Sequence, residues 1–260
     1  MPAHNQEKTI KRDLETICNV MSQTRWEFEI ILVDDGSSDK TFSEAKKVTS
    51  ANVQVFKYAR NKGKGYAIRY GMARAKGEYI SFIDAGMDIN PNGISMLLEH
   101  MAWYDADIIV GSKRHPASKV NYPWLRKFYS FGYHLVIKLL FSLNIKDTQT
   151  GIKVFKRAVL EKVLPRLLVK QFAFDIEILA VANYLGFTKI FEAPVDITLD
   201  FSKSHFEALL FLDKNIRNML LDTLAVWYRL RLVKYYADKS TRKWIYDKDL
   251  EMRVNTGELK

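Results

Sequence analysis

The 260-residue chain is 48% hydrophobic and 27% charged, enough apolar material for one large core, which excludes a disordered or fibrous chain. Its net charge of +10 points to anionic partners: nucleic acid, an acidic membrane surface or phosphorylated small molecules. The single cysteine, Cys18, excludes an internal disulfide framework and fits a reducing compartment such as the cytosol.

Met1–Asn5 reads as a loop, so no strand is expected before the first helix, and a leading strand is expected to be missing. Met1–Thr9 is polar and has no apolar signal region, so export is not expected. Ile10, Leu14, Ile17 and Met21 recur at helical spacing. Strands are predicted at Phe28–Val33, Val53–Tyr58, Tyr79–Ile83 and Asp107–Val110, each short, apolar on both faces and ending in polar or glycine-rich residues. Ala67, Gly71 and Ala75 mark a helix between them, and Pro91–His100 another that opens on a first-turn proline. Strands alternating with helices predict an α/β fold: a mostly parallel sheet flanked by helices, with ligands beyond the C-terminal strand ends. From Trp124 the pattern turns helical, over Trp124–Leu143, Lys156–Val163, Phe174–Leu185 and His205 to about Tyr236. The tail from Ala237 is polar and expected to be loosely held. The longest uncharged apolar stretches, Phe128–Ile137 and Ile178–Thr188, fall short of the roughly 18 to 20 residues that cross a membrane.

Two strands end in carboxylates. Phe28–Val33 runs into Asp34-Asp35-Gly36-Ser37-Ser38-Asp39, which reads either as acceptors for a base or ribose or as a turn with a helix cap. Tyr79–Ile83 runs into Asp84-Ala85-Gly86-Met87-Asp88, where Asp84 and Asp88 could share a hard divalent cation that bridges phosphates, or simply form a polar turn. Gly63-Lys64-Gly65 precedes a helix and lets backbone N–H groups and Lys64 approach a phosphate; a plain loop is the alternative. The five histidines show no zinc-ligand spacing.

These segments, with Pro2-Ala3-His4-Asn5, Gly111-Ser112-Lys113, Asp147-Thr148-Gln149-Thr150-Gly151 and Phe174-Asp175-Ile176-Glu177, stand in the order found in family 2 glycosyltransferases. From Pro2 to about Lys203 the chain resembles the branch that holds dolichyl-phosphate mannosyl- and glucosyltransferases. The resemblance implies a GT-A fold, a nucleotide-diphosphate sugar donor, Mg²⁺ or Mn²⁺, and inverting transfer. It implies a nucleotide-sugar site at Pro2, His4, Asp35, Lys64, Asp84 and Gln149, with His4 where the family usually has tyrosine and Gln6 where it has glutamate. Asp84 matches the first residue of the family's Asp-x-Asp metal motif, but Gly86 occupies the second position; Asp88, two residues on, is expected to join Asp84 at the metal.

In this branch the acceptor is a polyprenyl phosphate, a monoester already mostly dianionic at pH 7, which needs cationic donors rather than a strong base. Asp84, Lys113, Arg126, Ser130 and Asp175 form the expected catalytic set. Arg126 and Ser130, four residues apart on one helix face, match acceptor-phosphate positions. Asp147 and Gln149, with Asp175 and Glu177, are expected to line the sugar side, and their wording tilts the donor toward UDP-glucose. Two alternatives stay open: a saccharide or protein hydroxyl acceptor with Asp175 as base, and a non-catalytic nucleotide-sugar-binding protein, motivated by Gly86. No nucleic-acid-binding module is present.

The resemblance divides the chain into a GT-A domain, residues 1–204, and an amphipathic helical extension with a polar tail, residues 205–260. Phe128–Leu143, with Lys127 and Lys138 as the charges nearest its apolar run, reads either as an interfacial helix or as one buried on the sheet. Leu209–Tyr236 mixes apolar residues with Lys214, Arg217, Arg229, Arg231 and Lys234 and suits an anionic surface or its own domain equally. The expectation is peripheral contact with the cytoplasmic face of a membrane. Positions 53–76 and 108–146 each hold seven basic residues and no acidic one, so together they carry +14 and the rest of the chain is net −4. The anions expected there are a donor's phosphates, a lipid's phosphate and the membrane that holds the lipid.

Overall fold

The computed structural model describes residues 1–86, 89–120, 124–171, 173–197, 214–237 and 242–259. Strand β2 (Ile30–Asp34) is buried along its whole length, and its alternation decides what packs on each face. Ile30 and Leu32 join Ile10, Leu14 and Ile17 of helix α1 (Ile10–Ser22). Ile31 and Val33 point the other way, to Ala67 of helix α3 (Lys64–Arg74). Strands β1 (Pro2–Ala3) and β3 (Val53–Lys57) flank β2, both parallel to it, with the short helix α2 (Thr41–Ala45) on the connection from β2 to β3.

A second sheet has the order β4 (Tyr79–Ile83), β7 (Ile152–Lys156), β5 (Ile108–Ser112), β8 (Ile190–Pro194). Strand β7 runs antiparallel to both neighbours, whereas β5 and β8 are parallel, as are the two-residue strands β6 (Lys119–Val120) and β9 (Asp196–Ile197), which pair with each other. Ile109 joins α1 and helix α4 (Gly93–Tyr104) on one face. Ile108 and Val110 join α6 (Arg157–Val163), α7 (Phe174–Tyr184) and α8 (Lys214–Arg231) on the other. Burying a side chain such as Leu14, Leu97 or Leu179 contributes about 1.5–3 kcal/mol, so these layers rest on tertiary packing rather than on helix propensity. An apolar cavity of about 450 Å³, lined by Ile31, Ala67, Phe82 and Ile83 among others, lies where β2 faces β4.

Three expectations change. The opening segment is not only a loop: Pro2–Ala3 is a parallel strand ahead of α1, too short to show periodicity. Strands β7 and β8 were not expected: Ile152-Lys153-Val154-Phe155-Lys156 places lysines where a buried strand ordinarily has apolar residues, and Ile190-Phe191-Glu192-Ala193-Pro194 carries a glutamate and ends on proline. The tail is not loose: β10 (Arg242–Asp247) and β11 (Met252–Leu259) form an antiparallel hairpin. Tyr235 and Tyr236, buried at its root, tie it to the core, with the Arg166 guanidinium donating to the Tyr236 carbonyl. Helix α5 (Trp124–Phe141) is buried on one side: Ile137 and Phe141 lie in the core, while Leu135, Val136 and Leu139 are exposed. Among the described residues no helix is long and apolar enough to cross a membrane.

Candidate active site

Strands β2, β4 and β5 end on the same rim, and each delivers polar side chains to it. At the end of β2, the buried Asp34 accepts from the Ser37 amide at 2.8 Å and lies 3.4 Å from Lys57 Nζ. Asp35 Oδ1 accepts from Tyr58 Oη and from the Lys62 amide, both at 2.7 Å, and its Oδ2 accepts from the Gly63 amide at 3.0 Å. A carboxylate offers about four lone-pair sites, so three of those at Asp35 serve the 58–63 loop. The 4–7 and 37–41 loops are zipped together: the Asn5, Gln6 and Glu7 amides donate to Ser37, Thr41 and Asp39 side chains. Pro2 is buried against β2, whereas His4 is exposed beside Asn5.

The loop that Asp35 holds leads directly to Lys64, the first residue of α3. Its Nζ donates to Asp84 Oδ2 at 2.7 Å, crossing from one sheet to the other. Burial opposes the Lys64 charge, but Asp175 and Asp84 outweigh it and hold the ammonium above the usual lysine range. Burial pushes the Asp84 carboxyl up, against the pull of Lys64. Asp84 Oδ1 is buried and has no hydrogen-bond partner. Gly151 explains how this carboxylate fits: a Cβ there would lie 2.1 Å from Asp84 Oδ2, so any larger residue would displace it.

Behind this pair lies a second. Lys153 is fully buried in β7 and donates to Asp175 Oδ1 at 2.5 Å and to the Thr150 carbonyl at 2.7 Å. Burial pulls the Lys153 ammonium down, with Asp175 opposing. Lysine and aspartate thus alternate beneath the rim, each charge facing an opposite one. Asp147 ties its own loop to the end of β5, accepting from the Lys113 and Gln149 amides and from Thr150 Oγ1, with Lys113 Nζ 3.8 Å away. Gln149 Nε2, in contrast, is buried with no hydrogen-bond partner.

The structure therefore brings Lys64, Asp84 and Asp175 together and sets Lys113 and Gln149 in the 147–151 neighbourhood. Glu177 does not line the sugar side. It is fully buried and accepts from the Leu168 and Val169 amides and from Tyr236 Oη, and burial raises its carboxyl despite those donors. Asp88 lies outside the described residues, as do the side chains of Arg126 and Ser130 on α5. Lys153 and Tyr58 were missed. A lysine flanked by Ile152, Val154 and Phe155 was the available signal for the first, and it went unread together with its strand.

Among the described residues no three carboxylate, imidazole or thiol groups cluster as a ready-made metal site. The residues nevertheless fit a divalent ion bound with a diphosphate, because such ions use one or two carboxylates plus phosphate oxygens. Asp84 Oδ1 is a buried carboxylate oxygen free for that bond.

A family model described as Glycosyl transferase family 2 matches residues 1–164. A dolichyl-phosphate beta-glucosyltransferase of Drosophila melanogaster is 32% identical over 201 residues, which cover 71% of this chain and 62% of that protein. The corresponding protein of Dictyostelium discoideum is 29% identical, over 72% of this chain and 62% of its own length. The chain thus spans about 62% of the length of these curated relatives. Among solved structures, mannosyl-3-phosphoglycerate synthase from Rubrobacter xylanophilus superposes with a TM-score of 0.64 at 13% identity, covering 98% of this chain and 84% of that one. Glucosyl-3-phosphoglycerate synthase from Mycobacterium tuberculosis, in complex with Mn²⁺ and UDP-glucose, gives 0.59 at 19% identity, again over 98% and 84%. At these identities the likeness is one of fold, and the fold is GT-A.

Proposed function

The chain belongs to glycosyl transferase family 2, and on that premise we propose that it transfers a hexose, glucose from UDP-glucose, to a polyprenyl phosphate with inversion. The state of the carboxylates carries this reading. A hydroxyl acceptor needs a general base, yet every described carboxylate named at the rim has at least one oxygen engaged, and the unpartnered Oδ1 of Asp84 goes to the ion in this reading. Asp84 pairs with Lys64 and Asp175 with Lys153; Asp147 is taken by Thr150 and two amides. A phosphate monoester carries its own negative charge and needs only to be held and aimed. The likeness to dolichyl-phosphate beta-glucosyltransferases favours the same acceptor and sugar.

In this reading Pro2, His4, Asp35, Lys64 and Gln149 hold the donor, and Asp84 with Asp88 holds Mg²⁺ or Mn²⁺ at the diphosphate. When bound, the ion neutralises charge on the departing nucleoside diphosphate. Lys113, Arg126 and Ser130 grip the acceptor phosphate, and one of its oxygens bonds to the anomeric carbon as the bond to the diphosphate breaks on the opposite side. Asp175, fixed by Lys153, keeps Lys64 charged beside the donor. Residues 1–204 form the transferase domain and residues 205–260 its C-terminal extension. Leu221, Leu224 and Tyr228 form an exposed stripe at helical spacing on α8, with exposed Leu232 just past its end and Arg217 and Arg231 nearby, which suits peripheral contact with an anionic cytoplasmic leaflet.

The test is incubation with Mn²⁺, radiolabelled UDP-glucose or GDP-mannose, and either a polyprenyl phosphate or the matching polyprenol. Labelled lipid from UDP-glucose and the phosphate alone is the expected result. Labelling of the polyprenol would overturn the acceptor assignment. Nucleotide binding without product from either donor would identify a binding protein instead.

A further inference from the structure

Helix α1 buries a charge that the site described above does not use. Asp13 is 0% exposed and sits on the apolar face of the helix with Ile10, Leu14 and Ile17. One carboxylate oxygen, Oδ2, accepts from the Gly86 amide at 3.0 Å. The other, Oδ1, is buried without a hydrogen-bond partner, and the Arg12 guanidinium stands 3.6 Å away on the exposed side of the helix. Burying a carboxylate with so few donors is costly, and a leucine would fill the same position on the stripe without that cost.

What Asp13 holds gives the charge its purpose. Gly86 lies two residues beyond Asp84 with φ +100°, and a Cβ built there would meet nothing within 4 Å. The backbone amide at this position points back to α1 and is fastened there, while the side-chain position is open. Asp84 itself is anchored at its other end, its amide donating to the Gly151 carbonyl at 3.0 Å. The 84–86 turn is therefore pinned at two points, one on β7's approach loop and one on Asp13, and Asp84 Oδ1 is the free acceptor between them.

We propose that Asp13 is a positioning residue for the cation-binding turn: it fastens the Gly86 amide from beneath and places a buried negative charge under the site, where the second position of the turn has no carboxylate of its own. This rests on the reading that Asp84 binds a divalent ion with the nucleotide. Asp13 does not touch the ion; it fixes the direction of Asp84 and adds to the negative potential that the ion meets.

Mn²⁺ binding to the full chain in the presence of UDP, read from the electron paramagnetic resonance of free Mn²⁺, tests this. Replacing a residue that orients a metal ligand costs about 10–100-fold in metal affinity. Asp13→Asn, which keeps the shape and an acceptor but loses the charge, should weaken Mn²⁺ binding toward the lower end of that range. Asp13→Leu, which loses both, should weaken it further. UDP affinity measured in a chelator should stay unchanged in both variants. Native Mn²⁺ affinity in folded Asp13→Asn overturns the proposal, and so does a parallel fall in Mn²⁺ and chelator-insensitive UDP affinity, which is the mark of general loosening. If Asp13→Leu does not fold, Asp13→Asn decides; if neither folds, nuclear magnetic resonance of the unaltered protein does. Adding Mg²⁺ to its UDP complex should then move the Gly86 amide and the Asp13 carboxyl carbon, and stationary signals would overturn the proposal. Absence of any Mn²⁺ binding by the unaltered protein alongside UDP would instead refute the reading of the site on which this rests.

Discussion

Asp35 and Asp84 stand at equivalent places, each closing an apolar strand at its C-terminal end, yet the structure uses them in opposite ways. Asp35 is mostly engaged by its own protein, with one tyrosine hydroxyl and two backbone amides on its two oxygens, which leaves about one lone-pair site for a ligand. Asp84 has one oxygen paired with Lys64 and the other buried and unpaired. The first carboxylate spends most of its hydrogen-bonding capacity on building a loop; the second keeps one oxygen in reserve. A buried polar atom without a partner costs on the order of 1–3 kcal/mol, so its retention at a sheet rim is the mark of a group meant for a ligand. Gln149 Nε2 carries the same mark.

The comparison can be broken by mutation, beginning with the pair that lies beneath both. Lys153→Met leaves Asp175 buried without its cation and should cost about 3–5 kcal/mol in urea denaturation. The double variant Lys153→Met/Asp175→Leu should recover much of that loss, because neither charge then remains uncompensated. Next, Asp84→Asn should reduce the proposed lipid glucosylation by about 10²–10³-fold, the scale of losing one preorganised electrostatic group. Its thermal midpoint should change little, since burial already disfavours the Asp84 charge. A collapse in stability instead would place Asp84 with Asp35 among the structural carboxylates. Asp35→Ala should show the reverse balance, losing about 2–3 kcal/mol of stability as the 58–63 loop's buried donors go unsatisfied. Its activity per folded molecule should fall less than that of Asp84→Asn.

The smallest effect concerns Glu177, a saturated carboxylate whose pKa is nonetheless raised. Burial dominates there, opposed by Tyr236 and the backbone amides of Val169 and Leu168. The folded state therefore holds the proton more tightly than the unfolded chain does. The resulting stabilisation is complete below the ordinary glutamate value of 4.5 and is lost as pH rises through the higher folded value. Unfolding midpoints of the unaltered protein and Glu177→Gln, compared across pH, should diverge in favour of the unaltered protein on acidification. A constant difference would show that the donors around Glu177 offset its burial.

Much of this was legible in the residues. The apolar runs ending in Asp34-Asp35 and in Asp84 gave away two strand ends and the side on which ligands meet them, because a buried strand must be apolar and its polar exit marks the sheet edge. Tyr79–Ile83 was bounded to the residue. Strand β7 was not found, since its two lysines break the apolar run, and with it went Lys153, the cation that fixes Asp175. The hairpin after Ala237 was missed for a related reason: its strands are rich in polar and charged residues, and its attachment depends on Tyr235, Tyr236 and Arg166 rather than on its own pattern. Asp13 was passed over although it breaks the apolar stripe of α1, because a charge on a buried face acquires meaning only when its partner, 73 residues away, is known.

The α/β alternation, the family and the set of polar residues at the strand ends are written in local periodicity and motif order. Which carboxylates are spent and which are kept is settled only when the chain has folded. Hydrogen-bond saturation is a property of neighbours, and the neighbours of Asp35, Asp84, Asp175 and Asp13 arrive from distant segments that no local pattern brings together.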